Sequence, residues 1–152
     1  MIRNPFRIRL CLALLILNLT FIWGNSLLPG ELSGALSGWL KKTFFWFLST
    51  GSPDGGHGLL RKLAHFSEFT CLGICFTWLY ALLRKPFWLA PLSGVLAACI
   101  DECIQLFVPE RGPSIRDVAI DSAGVVLGVI LLNAIFCAKK KLVSQKQEDP
   151  QK

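Results

Sequence analysis

Four long apolar runs constrain the fold of this chain more than any other feature. They cover about residues 8–28, 63–83, 86–108 and 115–137. Each run is near the roughly 20 residues that an α-helix needs to cross the hydrocarbon core of a bilayer. The pattern predicts an all-α fold, a polytopic membrane four-helix bundle formed by a single domain over residues 1–138.

The composition favours membrane helices over a soluble core. Hydrophobic residues make up 53% of the 152 residues, and the mean hydropathy is +0.51, which is too apolar for a soluble domain of this length. The net charge of +6 does not indicate a nucleic-acid partner, because the basic residues flank the apolar runs instead of forming a stripe with interleaved aromatic residues. We therefore expect membrane lipids, and no nucleic acid, as partners.

The segment between the first two runs has a different pattern. From Glu31 to Leu48, apolar residues recur at helical spacing while Lys41 and Lys42 interrupt the middle. This pattern is typical of an amphipathic helix that lies in the membrane interface, and we place that helix on the extracytoplasmic side. Residues 49–58 are rich in glycine and predict a flexible hinge into the second membrane helix.

The positions of lysine and arginine predict the orientation. The basic cluster of residues 3–9, the Arg84–Lys85 turn and the lysine run 139–141 fall on one side of a four-helix arrangement, which the positive-inside rule makes cytoplasmic. Both termini are then cytoplasmic, and residues 139–152 are expected to form a basic, disordered tail. A cleavable signal peptide is the alternative for the first run, and it would leave the remaining topology unchanged.

Ionisable and polar residues lie near the extracytoplasmic ends of the last three helices. They are His65 and Glu68 in the second helix, Asp101, Glu102 and Gln105 in the third, and Asp117 and Asp121 in the fourth, with Arg111 and Arg116 beside the fourth. At 1.5 Å per residue, the three groups lie at one depth, about 6 to 10 Å inside the helix ends. Charge inside a bilayer is costly, so these residues are expected to have partners or a function.

Spacing gives each group a direction as well as a depth. Residues three or four apart share one face of a helix, as Asp117 and Asp121 do. Their stripe continues into Gly124 and Gly128, and small residues mark the faces at which membrane helices pack. The charged faces are therefore expected to point into the bundle and to form a polar chamber that opens to the outside.

The same residues resemble those of the VanZ-like family, which is named for a teicoplanin-resistance protein. The matching motifs are Arg61-Lys62-x-x-His65-x-x-Glu68, Asp101-Glu102-x-x-Gln105 with Pro109-x-Arg111, Asp117-Val118-x-x-Asp121-x-x-Gly124-x-x-x-Gly128, and Asn25-Ser26-x-x-Pro29 with Ser33. They span about residues 20–132. Two positions depart from the family pattern, because Asp121 stands where Asn is usual and Phe69 where Tyr is common. The resemblance implies a four-helix protein of the bacterial cytoplasmic membrane, and some relatives lower susceptibility to lipoglycopeptides at the cell surface.

The clustered groups predict a site for acid–base chemistry. The candidate catalytic residues are His65, Glu68, Asp101, Glu102 and Asp121. Crowded carboxyl groups in a low-dielectric chamber need not all be ionised, so one can act as an acid and another as a base, with the imidazole in either role. The candidate substrate-binding residues are Gln105, Arg111, Arg116, Asp117 and Ser26, and the two arginines suit the phosphate or carboxylate of a lipid-linked substrate.

The same groups also suit a divalent metal. Glu68, Asp101, Glu102 and Asp121 offer hard oxygen ligands and His65 offers an imidazole, a set that fits Mg²⁺, Mn²⁺ or Zn²⁺, although no short metal-binding motif is present. The candidate ligands are His65, Glu68, Asp101 and Glu102. The structural alternative is a clamp, in which His65 or an arginine neutralises nearby acids and holds the helices together.

Three classes of function remain open. The first is a membrane enzyme or modifier that acts on an envelope amphiphile at the outer leaflet. The second is a non-catalytic protein that binds an envelope lipid or a lipid-tailed antibiotic, and the third is a small transporter with a proton or cation path. Transport is the least favoured, because beyond Thr70 and Thr77 the inner half of the second helix is almost wholly apolar.

Overall fold

Four long helices make up the described part of the chain. The structure, a computed structural model, describes residues 4–29, 35, 39, 57–109, 111–112 and 114–148, without the side chains of 57–60 and 146–148. The helices are α1 (Pro5–Ser26), α2 (His57–Leu83), α3 (Leu89–Gln105) and α4 (Ile115–Glu148). No strand occurs in these described ranges, and the predicted all-α fold is confirmed.

Three of the four helices are long and apolar enough to cross a membrane. The qualifying segments are Pro5–Ser26, Arg61–Leu83 and Ile115–Gln145. The third helix, α3, has 17 residues, a length of about 26 Å, and is shorter than the predicted run 86–108. It ends early because the backbone turns at Phe107 and Val108, whose N–H groups bond to carbonyls three residues back, and because the following proline cannot continue a helix.

Two further predictions concern the C-terminal segment and the segment between α1 and α2. Helix α4 continues to Glu148, so disorder does not begin at Lys139 as predicted. The reason is that residues 139–148 contain strong helix formers and neither glycine nor proline. Of the predicted interfacial helix, only Ala35 and Trp39 are described, and both are helical; its other residues and the predicted hinge up to residue 56 lie outside the described residues.

A tight turn makes α2 and α3 antiparallel neighbours. Arg84 adopts a left-handed backbone with φ of 55°. The Lys85 N–H donates to the Tyr80 carbonyl at 2.9 Å, and the Arg84 N–H donates to the Ala81 carbonyl at 3.2 Å. These two bonds form a Schellman motif, which satisfies carbonyls at the end of α2. The reversal brings the C-terminal end of α3 beside the N-terminal part of α2.

Glycines set the approach of α4 to α2. Helix α2 contacts all three other helices, and its most extensive contact is with α4. A Cβ added to Gly124 would collide with the Phe66 carbonyl of α2, and one added to Gly128 would collide with the Thr70 carbonyl. The predicted packing seam is confirmed, because only glycine lets the two backbones approach this closely.

An apolar layer, formed by Phe69, Leu72 and Val125, crosses the middle of the bundle. All three side chains are fully buried. Val125 packs against Gly73 of α2 and Gly94 of α3, where any added side chain would collide with it. The layer separates the polar ends of α2 and α4 from the rest of the bundle.

We predict that Gly128→Ala lowers the free energy of unfolding by about 1 to 3 kcal/mol, the usual cost of overpacking, because the new methyl group meets the Thr70 carbonyl. Gly24→Ala is the matched control, since nothing lies within 4 Å of its added Cβ and alanine favours a helix over glycine. Reversible unfolding of the purified protein in mixed micelles measures both variants. A Gly128→Ala variant as stable as the wild type would contradict the close α2–α4 approach.

Candidate functional site

Polar side chains from all four helices meet at one end of the bundle, which we call the Ser26 end. The contacts are Ser26 with Asp101, His65 with Asp101 and Asp121, and Arg61 with Asp117. Consecutive helices alternate in direction, so the last turns of α1 and α3 lie beside the N-terminal parts of α2 and α4. The antiparallel order of the helices therefore assembles the site.

Asp101 is anchored by hydrogen bonds from two helices. Its side chain is fully buried, and its Oδ2 atom accepts hydrogen bonds from the Ser26 hydroxyl and the Gln105 amide, each at 2.9 Å. Gln105 Nε2 also lies 3.4 Å from Ser26 Oγ, so the three side chains form one network between α1 and α3. The other oxygen, Oδ1, has no hydrogen-bond partner among the described residues.

His65 faces two aspartates across a gap. Its Nδ1 atom lies 3.9 Å from Asp101 Oδ2 and 4.0 Å from Asp121 Oδ1, and the ring is buried. Direct N–H···O hydrogen bonds are about 2.7 to 3.2 Å long, so neither aspartate closes the space in front of this nitrogen. The three groups, which we call the His65 cluster, surround a position that one further atom can occupy.

Asp121 is buried without any hydrogen bond. Its residue exposure is 1%, and within the described part of the chain neither carboxylate oxygen has a hydrogen-bond partner. A charged carboxylate in this setting costs several kcal/mol unless a partner neutralises it. Asp121 therefore requires a proton, a cation or a polar ligand.

Two glutamates flank the His65 cluster. Glu102 Oε2 accepts a hydrogen bond from the backbone N–H of Ser114 at 2.7 Å, directly before α4, where the helix dipole favours an acid. Asn25 Nδ2 donates to Glu68 Oε1 at 3.5 Å. The other oxygen of each glutamate is buried and, in the described ranges, has no hydrogen-bond partner.

Two arginines lie at the mouth of the site. Arg61 NH2 is 3.7 Å from Asp117 Oδ2, and both side chains are partly exposed. Arg111 NH2 donates to the Asn25 carbonyl at 3.3 Å, while its Nε and NH1 atoms are buried with no partner among the residues that the structure describes. Burial lowers the pKa of Arg111, and the charge of Arg61 lowers it further, but a guanidinium stays protonated. Its unpaired N–H groups are donors of the kind that bind carboxylates and phosphates.

A cavity opens among these side chains. Its empty volume is about 260 Å³, counting the solvent space at its mouth. It is lined by Arg61, Lys62, His65, Glu102, Gln105, Asp117, Ile120 and Asp121. The cavity thus combines cations with carboxylates and an imidazole, groups that can bind an anionic headgroup and exchange protons with it.

The structure brings the predicted site residues to the Ser26 end with one exception. Arg116 is exposed, and no hydrogen bond or ion pair joins its side chain to another described residue. It lies one residue, or about 100°, around the helix from Asp117, and it is not among the residues that line the cavity. Asn25 was not predicted, although it contacts both Glu68 and Arg111, and the Asn25-Ser26 motif was the available signal.

The groups able to hold a metal differ from the predicted set. One potential ligand atom each from His65, Asp101 and Asp121 lies within 4.8 Å of the other two. Among the described residues this is the one such grouping of histidine, cysteine and acidic side chains. Glu68 and Glu102, two of the four candidate ligands, do not belong to this grouping, whereas Asp121, one of the predicted oxygen donors, does.

Comparison with known proteins gives a family. A sequence profile described as VanZ/LLP1 matches residues 8–136, a range that includes every residue of the site. The chain matches no curated protein and no solved structure. The three apolar helices and the family match identify a multi-pass membrane protein. Because the match covers most of the chain, this protein belongs to the VanZ/LLP1 family.

Proposed function

We propose that the protein binds the polar headgroup of a cell-envelope amphiphile, either lipid-linked or of the lipoglycopeptide type, and acts on it by acid–base chemistry in the cavity. The observation that carries the proposal is Asp121, a carboxylate with 1% exposure and no described hydrogen bond in the wall of an open cavity. Such a group destabilises a protein unless a ligand uses it. Functional sites are where proteins retain destabilising groups of this kind.

The surroundings of the cavity favour an amphiphile. The sides of the helices expose large apolar residues such as Ile16, Phe21 and Ile130, which suit lipid chains. The cavity carries Arg61 and Lys62, which suit the phosphate or carboxylate of a headgroup. A molecule with both parts would use both surfaces, with its chains beside the helices and its headgroup in the cavity.

The His65 cluster supplies a base and an acid to such a headgroup. An oxygen bound in the gap would lie within hydrogen-bond reach of His65 and Asp121, as general acid–base catalysis requires. Asp101 is held by Ser26 and Gln105, so its fixed charge would stabilise the imidazolium that forms when His65 accepts a proton. Asp101 thus positions and stabilises His65, whereas Asp121 takes part in the proton transfer.

We place the cavity in the outer leaflet of a bacterial cytoplasmic membrane. The basic residues Arg7, Arg9, Arg84 and Lys85 and the lysine run 139–141 belong to the helix ends opposite Ser26. The positive-inside rule makes that end cytoplasmic, with both termini inside. In this orientation the protein meets lipoglycopeptides at the cell surface, and binding or modification there would alter glycopeptide susceptibility.

A structural clamp is the second candidate. Each described ion pair of the site joins two helices: Arg61–Asp117 and His65–Asp121 join α2 to α4, and His65–Asp101 joins α2 to α3. A clamp gives no reason for the unused carboxylate oxygens at the same end of the bundle, so we favour the first candidate. The apolar layer beneath the His65 cluster disfavours the third class, a proton or cation transporter.

The proposed orientation predicts which side of the membrane reaches Lys62. In a variant whose six cysteines are replaced, Lys62→Cys should react with a membrane-impermeant maleimide added to intact cells. Lys140→Cys should react only after the cells are permeabilised. Both lysines are exposed. A difference in labelling would therefore report which side of the membrane each position faces and not how deeply it is buried. The reverse labelling pattern would contradict the orientation.

Asp121→Asn is predicted to abolish action on the amphiphile and to raise, or leave unchanged, the unfolding temperature. The substitution keeps the side-chain shape and removes a buried charge that has no described hydrogen bond. Asp101→Asn and Glu68→Gln should also lose turnover at normal membrane abundance. Purified protein in nanodiscs is incubated with an envelope-lipid extract, and mass spectrometry detects products. Cys103→Ala, an exposed position beside Glu102, is the control that keeps activity.

The outcomes separate the candidates. Product formation by the wild type and not by Asp121→Asn, with no loss of stability, supports an enzyme. Saturable lipid binding without product, lost in Asp121→Asn, supports a binding protein and removes the catalytic step from the proposal. A lower unfolding temperature for Asp121→Asn together with unchanged binding and turnover would contradict the proposal and favour the clamp.

A further inference from the structure

We propose that His65, Asp101 and Asp121 form a binding site for one divalent transition-metal ion. The inference rests on the proposed function in that the same cavity serves both, but its test uses the metal alone. Under this inference, the further atom in the gap of the His65 cluster would be the metal ion itself.

The distances within the cluster suit a shared ion. Two protein ligands at about 2.0 to 2.2 Å from a metal ion lie about 2.8 to 3.8 Å apart at coordination angles of about 90° to 120°. His65 Nδ1 lies 3.9 Å from Asp101 Oδ2 and 4.0 Å from Asp121 Oδ1. These values are slightly above that range, and small rotations of the side chains would bring the separations within it.

The hydrogen-bond state of the two aspartates also favours a cation. Both oxygens of Asp121 are buried and lack a hydrogen bond within the described chain, and the residue lines the cavity. Asp101 Oδ2, the oxygen 3.9 Å from His65, is held by Ser26 and Gln105, and Oδ1 has no described partner. Carboxylates that ligate metals are commonly oriented in this way by outer hydrogen bonds.

The charge balance supports the same conclusion. Among the described residues, no lysine or arginine nitrogen lies within 4.0 Å of an oxygen of either aspartate, and Arg61 pairs instead with Asp117. Glu68 and Glu102 add two further carboxyl groups at this end of the bundle. A divalent cation would neutralise both aspartates at once.

The ligand types select the class of ion. One imidazole nitrogen with two carboxylate oxygens suits Mn²⁺, Fe²⁺ or Zn²⁺, whereas Mg²⁺ and Ca²⁺ prefer oxygen ligands. Three protein ligands leave coordination positions free, as catalytic sites do. The phosphate or carboxylate of a bound headgroup could occupy them.

Mn²⁺ binding to the purified full-length protein tests the inference. The protein, freed of tags and bound metal, is titrated in detergent while electron paramagnetic resonance follows free Mn²⁺. We expect one ion per chain and a loss of affinity of about tenfold or more in His65→Gln and Asp121→Asn. His57→Gln removes the chain's second histidine, eight residues or about 12 Å along α2 from His65, and should bind as the wild type does.

A second measurement does not depend on the variants. Mn²⁺ or Zn²⁺ should raise the unfolding temperature of the wild type, and EDTA should reverse the increase, because an ion that binds only the folded state stabilises it. Absence of Mn²⁺ binding by the wild type at millimolar concentration, or equal affinity in the wild type and both site variants, would overturn the inference. Turnover that depends on Asp121 without metal binding would leave the proposed function intact, and metal binding without turnover would support this site alone.

Discussion

The approach of α4 to the backbone of α2 at Gly124 and Gly128 determines where the polar side chains of this protein lie. Asp121 is one turn before Gly124 on the same face of α4, and His65 directly precedes Phe66, whose carbonyl faces Gly124. The glycine contact therefore sets the imidazole beside the carboxylate. A side chain at either glycine would push the two helices apart and widen the gap in the His65 cluster. The close packing of α2 and α4 therefore also determines the geometry of the site.

The environment above the apolar layer gives two aspartates two different states. Asp101 is held by Ser26 and Gln105, whereas Asp121 has no described hydrogen bond although it is equally buried. Asp121 lines the cavity, whereas Asp101 lies behind it, and the buried side chains of Phe69, Leu72 and Val125 pack on the other side. In the proposed function this contrast assigns positioning to Asp101 and proton transfer to Asp121, and both aspartates would ligate the proposed metal ion. A pair held only for stability would be satisfied on both sides.

Much of this arrangement could be predicted from the sequence, because membrane helices follow from hydropathy and helix faces follow from spacing. The Gly124–Gly128 seam and the common depth of His65, Asp101 and Asp121 are regular features of that kind. The exact partners were not predictable. Asp101 and Glu102 are adjacent and so point about 100° apart, which sends Asp101 to His65 and Glu102 to the start of α4. Only the three-dimensional packing selects between them.

The remaining differences have similar causes. Arg116 shares a helix turn with Asp117 but does not line the cavity, which a list of charged residues does not reveal. The Asn25 side chain donates to Glu68, and its backbone carbonyl accepts from Arg111. The contacts of a backbone carbonyl cannot be predicted from the residue type. Spacing along the sequence therefore locates these groups along the helices, but it does not identify their partners.

The central claim is that the gap between His65 and the two aspartates is a binding position. An experimental structure of the wild-type protein in a lipid bilayer tests it most directly. We expect His65 Nδ1 to face Asp101 and Asp121, with non-protein density between them from an ion or a headgroup. Direct hydrogen bonds from His65 to both aspartates that close the gap, or a His65 ring turned toward lipid, would contradict it.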